Sequence, residues 1–138
     1  MSLTIRPFSD SDQEAVVTLW ETCQLVVPQN DPIADIRTKI QFQPDLFLVA
    51  LSENRLVGTV MAGYEGHRGW INYLAVAPDQ RRRGIAKTMM ASAEKRLRAL
   101  GCPKINLQVR RKNTAVINFY QAIGFGEDEV VSFGKRLR

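Results

Sequence analysis

The chain has 138 residues, with 19 Lys and Arg against 14 Asp and Glu, a formal net charge of +5, and 45% hydrophobic residues. That is one domain's worth of chain, long enough to bury about 68–70% of its unfolded surface without a metal or disulfide staple. No apolar run approaches the ~20 residues of a membrane span, and Cys23 and Cys102 match no metal-ligand or C-x-x-C spacing and follow no secretory leader, so two reduced, buried thiols in a cytoplasmic protein are expected.

In chain order, residues 2–8 read as a short strand with Leu3 and Ile5 alternating, broken by Pro7. Ser9 or Asp10 caps a helix with Ala15, Val16, Leu19 and Trp20 on one face. After the interruption at 28–32, residues 33–42 give a second, less regular helix with Ile33, Ile36 and Ile40 inward. Residues 46–51 and 55–64 are strands joined by a hairpin at Ser52, Glu53 and Asn54, and a turn at 65–69 leads to a third antiparallel strand at 70–77. That last run is almost continuously apolar, which predicts a strand buried on both faces in the middle of the sheet.

Pro78 ends the strand, since it cannot donate to a ladder and holds the preceding residue extended. From Ile85 the apolar residues Ala86, Met89, Met90, Ala93, Leu97 and Leu100 recur at helix spacing, Lys87, Lys95, Arg96 and Arg98 fill the other face, and Gly101 stops the helix. Between strand and helix stand Arg81, Arg82, Arg83 and Gly84. The first amides of a helix have no internal partner and carry partial positive charge, and Gly84 and Ala86 leave room for a phosphate to approach them. A solvated surface turn is the plain alternative, but arginine there opposes the helix dipole at ~0.3–1 kcal/mol unless an anion sits nearby, which favours the anion site. A triphosphate-binding G-x-x-x-x-G-K-T loop would need glycine at the positions of Arg81 and Ala86 and is rejected.

The helix returns the chain to residues 104–109, where Ile105, Leu107 and Val109 alternate, a right-handed crossover to a parallel strand. Asn113 and Thr114 cap a short helix with Val116, Phe119, Tyr120 and Ile123 apolar, Gly124 ends it, and residues 129–137 supply a final strand. Basic residues also gather at Arg110 to Lys112 and at Lys135, Arg136 and Arg138, so the partner is anionic.

The run Leu-Ala-Val-x-Pro, then Arg81-x-x-Gly84-x-Ala86, the helix behind it, Asn113, Phe119-Tyr120 and Gly124-Phe125 together resemble the GNAT superfamily of acetyl-CoA-dependent N-acetyltransferases. The resemblance covers essentially the whole chain and is nearest to small single-domain bacterial members of the YpeA type. It implies one α/β domain over residues 1–138, with a mixed, mostly antiparallel central sheet, a parallel crossover at the cofactor cleft and helices on both faces. It implies acetyl-CoA as co-substrate, a primary amine of a small molecule or peptide as acceptor, no metal, and direct attack without an acyl-enzyme. The backbone of Leu74, Ala75 and Val76 would hold the pantetheine arm, with the Val76 N–H polarising the thioester carbonyl. Arg82, Arg83, Gly84, Ile85, Ala86 and Lys87 would hold the pyrophosphate, and Asn113 would contact the arm from the opposite side. The helix pair near the N-terminus would wall the acceptor pocket.

Tyr120 matches the family tyrosine that protonates the departing thiolate, a role suited to a phenol of pKa ~10; by residue type alone it would be a core aromatic beside Phe119. The protein N-terminal acetylating branch of the family has Glu where this chain has Gln108, and an amide takes no proton from an amine. Deprotonating a lysine-like amine at pH 7 costs about 4.6 kcal/mol, against ~1–1.4 for an α-amine, so the missing carboxylate disfavours a high-pKa acceptor by that route. Glu65, or a water held by Asn72 or Tyr73, are the other candidate bases, and His67 reads as a solvated turn histidine. Two rivals remain: a coenzyme-A-binding regulatory domain with little catalysis, and a nucleic-acid-binding module. The second is the weaker, because the arginines sit at a turn rather than along a helix face with interleaved aromatics. A membrane is not an expected partner, and a homodimer stands among the expected assemblies.

Overall fold

The structure is a computed structural model and describes residues 2–138. In chain order it contains β1 (Leu3–Pro7), α1 (Gln13–Thr22), α2 (Pro32–Lys39), β2 (Phe47–Ser52), β3 (Arg55–Tyr64), β4 (Gly69–Val76), α3 (Ile85–Ala99), β5 (Ile105–Asn106) and α4 (Thr114–Ala122). The strands form one sheet in the order β1-β2-β3-β4-β5. The first three ladders are antiparallel and β4 to β5 is parallel, with α3 as the crossover, the mixed sheet that the sequence leads one to expect. Contacts divide the chain into two compact units, one extending to Leu107 and the other spanning Gln108–Arg138.

Two adjacent residues of β3 show that helices cover both faces of the sheet. A Cβ on Gly58 would lie 2.8 Å from Met89 Sδ of α3, whereas the Thr59 hydroxyl accepts the Trp20 indole N–H of α1 at 2.9 Å. Consecutive strand residues point to opposite faces, so α3 and α1 pack on opposite sides. Val16, Leu19 and Trp20 from α1, Ile85, Met89, Met90, Ala93 and Leu97 from α3, and the run Leu46 to Ala50 form the buried core. Helix α2 starts where Asp31 accepts the Ala34 N–H at 3.1 Å and Pro32 supplies the first helical residue. Ahead of α1, the Asp12 carboxylate accepts the Ser9 N–H and N–H groups from both terminal nitrogens of the Arg6 guanidinium, the latter at 2.8 and 2.9 Å.

Several expectations need correction. The strand buried on both faces in its middle is β3, which lies between two neighbours and two helices. In β4 the first half alternates, with Trp70 40% exposed and Asn72 also exposed. Ile33 is half exposed rather than inward, and the α2 face is buried through Ile36 and the Lys39 stem. Cys23 and Cys102 are free but only partly buried. The strand expected at 104–109 forms only at Ile105–Asn106. Among the described residues no ladder includes 129–137, and Val130, Val131, Phe133 and Leu137 are 77–94% exposed. Alternation says what a segment does when a sheet edge is offered to it, and a strand without a partner has no stability of its own.

Candidate active site on β4 and the start of α3

The register of β4 against β3 shifts once. Thr59 faces Ala75 and Met61 faces Asn72, so β4 holds one residue more than its partner, at Tyr73 and Leu74. Tyr73 has φ 51, in the left-handed region, which for a bulky side chain costs about 1–3 kcal/mol. The bulge turns Tyr73 onto the α1 face, where its ring stacks on Trp20 at 3.8 Å; regular alternation would have sent it to the α3 face.

Beyond the bulge the backbone alternates again. The Ala77 N–H donates to the Val57 carbonyl at 2.8 Å, so Val57 and Ala77 are a hydrogen-bonded pair and Gly58 and Val76 a non-bonded one. The N–H and carbonyl of Val76 therefore face away from β3, toward the outer edge of β4. Ala75, opposite Thr59, turns its backbone to β3, and its small side chain is buried on the sheet face it shares with Thr59. β5 pairs with β4 only at Gly69 and Trp70. From there to Val76 is about 20 Å of strand edge outside any ladder of the described residues. The Val76 carbonyl accepts from Arg81 Nε at 3.3 Å and lies 3.5 Å from Cys23 Sγ, leaving its N–H as the outward group.

A short 3-10 turn, Pro78–Gln80, links β4 to the basic loop and is tied to β3 by a bidentate pair of Arg55 with Asp79 at 2.8 and 3.0 Å. Arg82 has φ 66 and Gly84 φ 75, two left-handed residues within three positions, the alternating geometry that turns backbone N–H groups into a concave nest. Ile85 is 1% exposed and pins the helix start in the core, while Arg82, Arg83, Gly84 and Lys87 are exposed and Ala86 half-buried. The first intrahelical bond runs from the Thr88 N–H to the Gly84 carbonyl at 3.0 Å, reinforced by the Thr88 hydroxyl at 2.8 Å. The amides of Ile85, Ala86 and Lys87 precede it, no side chain caps Gly84, and the first turn holds no acid. A phosphate would meet unbonded helix-start amides here, with arginine and lysine side chains beside them.

The other expected residues lie in the second unit. Asn113 caps α4, its side-chain oxygen accepting the Val116 N–H at 3.4 Å. Tyr120 is 8% exposed, edge-on to Phe119 and Phe125 with ring centres at 5.1 and 5.5 Å. No hydrogen bond to its hydroxyl is formed among the described residues, and burial pushes its pKa up to about 12, so the phenol is fully protonated near neutrality. Gln108 donates its side-chain amide to the Ser132 hydroxyl. Of the alternative bases, Glu65 accepts the Arg68 and His67 amides, which hold its carboxyl below the usual range and make it a poor proton acceptor. Asn72 is exposed beside the bulge. The Tyr73 hydroxyl is engaged with Asn30 and Asp35. The bulge and the Tyr73 clamp escape sequence reasoning, because Trp20, Asn30 and Asp35 lie 38 to 53 positions away in the chain and no spacing announces them.

Comparison with known proteins agrees with this layout. The profile of the acetyltransferase (GNAT) family matches residues 14–125. An acetyltransferase of Pectobacterium atrosepticum is 50% identical over 135 residues, covering 98% of this chain and 96% of that protein. Among solved structures, Ard1 from Thermoplasma volcanium superposes with a TM-score of 0.83 at 26% identity, covering 91% of this chain and 84% of that one. An aminoglycoside N-acetyltransferase crystallised with coenzyme A shares the fold at a TM-score of 0.81 and 22% identity, covering 99% and 96%. With most of its length matched and a relative at half identity over nearly the whole chain, this protein belongs to the acetyltransferase (GNAT) family.

Proposed function

We propose that the chain is a single acetyl-CoA-dependent N-acetyltransferase domain that moves the acetyl group to a primary amine by direct attack in a ternary complex. The observation that carries this reading is the bulged end of β4: the Val76 N–H faces a strand edge that no ladder of the described residues covers, and the arginine-flanked start of α3, with no side-chain cap, follows within ten residues. When bound, acetyl-CoA supplies an activated thioester. Leu74 and Val76 hold its arm along the strand edge, and the Val76 N–H donates to the carbonyl oxygen as negative charge develops there, a fixed dipole that needs no reorganisation. Arg82, Arg83 and the amides from Gly84 to Lys87 hold the pyrophosphate, and the Asn113 side-chain amide, whose oxygen is spent on the cap, contacts the arm.

The amine nitrogen would form its bond to the carbonyl carbon as the carbon–sulfur bond breaks; the Tyr120 hydroxyl would give its proton to the sulfur, and the proton lost by the amine would return through solvent to the Tyr120 phenolate. A phenol held protonated by burial is a donor throughout the physiological range. With Gln108 and Glu65 both committed elsewhere, an acceptor amine that loses its proton readily, such as an α-amine, suits the site better than a lysine. The two free thiols accord with the reducing cytoplasm as its place of work.

Calorimetric titration with coenzyme A tests the site. Gly84→Asp sets a carboxylate against the pyrophosphate and should abolish measurable binding, whereas wild-type affinity in that variant would refute the placement.

A further inference from the structure

The bulge that precedes Val76 on β4 centres on Tyr73. Tyr73 sits in a conformation its own backbone disfavours, φ 51, at the one position where β4 outruns β3. Four groups restrain it. Trp20 stacks on its ring at 3.8 Å and 12°. The Thr59 hydroxyl donates to its carbonyl at 2.8 Å. The Asn30 side-chain amide donates to its hydroxyl, and that hydroxyl donates to Asp35 Oδ2 at 2.6 Å. Asn30 is itself fixed, its oxygen accepting the Val27 N–H at 3.0 Å. Asp35 forms no ion pair among the described residues, so its structural use is to accept the tyrosine's hydrogen bond.

Thr59 belongs to β3; the other three restraints come from α1, α2 and the loop between them, the segment expected to wall the acceptor pocket, and all four converge on the residue three positions before the Val76 N–H. An amide that polarises a carbonyl is effective only when it is held in place, since a displacement of about 1 Å can cost about 100-fold. A strained residue persists only where its surroundings over-determine it. Removing the hydroxyl releases the Asn30 and Asp35 restraints while leaving the ring on Trp20, so the bulge loosens without the core opening.

We infer that Tyr73 is a positioning residue for acetyl transfer: clamped through its hydroxyl between Asn30 and Asp35, it holds the β4 bulge and thereby aims the Val76 N–H. The inference rests on the proposed function and adds to it a coupling between the acceptor wall and the cofactor strand.

The test uses the full chain and three variants, Tyr73→Phe, Asp35→Asn and Asp35→Leu, with acetyl-CoA and α-amine peptides as probes. Steady-state kinetics and backbone hydrogen exchange over residues 71–77 are measured side by side. Tyr73→Phe should lower kcat about 10–100-fold, with KM for acetyl-CoA changed less than about threefold, and should speed exchange in 71–77 beyond what its global stability accounts for. Asp35→Asn keeps an oxygen that accepts the phenol's hydrogen bond and should stay near wild type in both readouts; Asp35→Leu should behave as Tyr73→Phe does. Equal kcat in wild type and Tyr73→Phe overturns the positioning role alone. So does an Asp35→Asn defect as large as that of Asp35→Leu, which would assign Asp35 to the acceptor's charge instead. A wild-type protein that transfers no acetyl group while its exchange still responds to Tyr73→Phe overturns the function, and the positioning role falls with it.

Discussion

Thr59 is the buried joint between α1 and β4, and replacing it by valine isolates two hydrogen bonds. The residue is fully buried, its hydroxyl accepting the Trp20 indole N–H at 2.9 Å and donating to the Tyr73 carbonyl at 2.8 Å. Valine has nearly the same shape, so packing is kept and only the oxygen's bonds are lost. Trp20 is also fully buried and its N–H has no other partner among the described residues, while Tyr73 is partly exposed and water can reach its carbonyl in part. At about 1–3 kcal/mol for each stranded group, with the carbonyl at the low end, Thr59→Val should cost about 2–4 kcal/mol. For a domain of this size that lowers Tm by roughly 6–15 °C. Urea unfolding followed by tryptophan fluorescence should show the lower midpoint at unchanged m-value. Thr59→Ser, which keeps the oxygen and loses a methyl group, should cost about 1 kcal/mol. A Thr59→Val protein within about 0.5 kcal/mol of wild type would refute the view that this hydroxyl ties α1 to the bulge.

Gly58→Ala would bring a Cβ to 2.8 Å from Met89 Sδ and 3.2 Å from the Ala75 carbonyl; Met89 is fully buried, so thermal or urea unfolding should show a loss of about 1–3 kcal/mol, and the double variant with Met89→Ala should lose less than the sum of the two single losses. Tyr120→Phe should leave coenzyme A affinity nearly intact and lower kcat by about 10²–10⁴-fold, and unchanged kcat with a lower Tm would make the residue packing only. Tyr73 and Tyr120 are each raised to about 12 in the fold, Tyr73 by burial first and then by Asp35. Raised values favour the protonated folded state, so this stability is fully present below pH ~10 and lost as pH rises toward 12, and either Tyr→Phe variant should flatten that alkaline limb in pH-dependent unfolding. Asp12 runs the other way: the Arg6 hydrogen bonds hold its carboxyl low, so its contribution is present above pH ~4, lost as pH falls, and absent in Asp12→Asn.

The sequence was most informative where one residue carries a hard constraint. Pro78 closing β4, Gly84 at φ 75 opening α3 and Asn113 capping α4 stand where their side-chain chemistry puts them. The mixed sheet followed from alternation and from the length of the crossover. What periodicity cannot carry is an interruption of itself. The bulge at Tyr73 flips the side-chain parity of β4, and its cause lies in Thr59, Trp20, Asn30 and Asp35, partners distant in sequence. Arg82 in the left-handed region is hidden for a similar reason, since arginine gives no local hint of positive φ. The segment 129–137 differs in the opposite sense, its alternating Val131, Phe133 and Leu137 reading as a strand that no ladder of the described residues includes.

The most direct test of the acetyltransferase reading counts products. Wild type and Gly84→Asp are incubated with subsaturating acetyl-CoA and a panel of primary amines and peptides, and thiol release is followed alongside amide formation by mass spectrometry. At least one primary amine should give one amide per thiol released with wild type, and Gly84→Asp should reduce that rate to background. Wild-type protein that binds coenzyme A tightly yet releases thiol no faster than buffer with every amine would contradict the account, and would mark the chain as a coenzyme A binder.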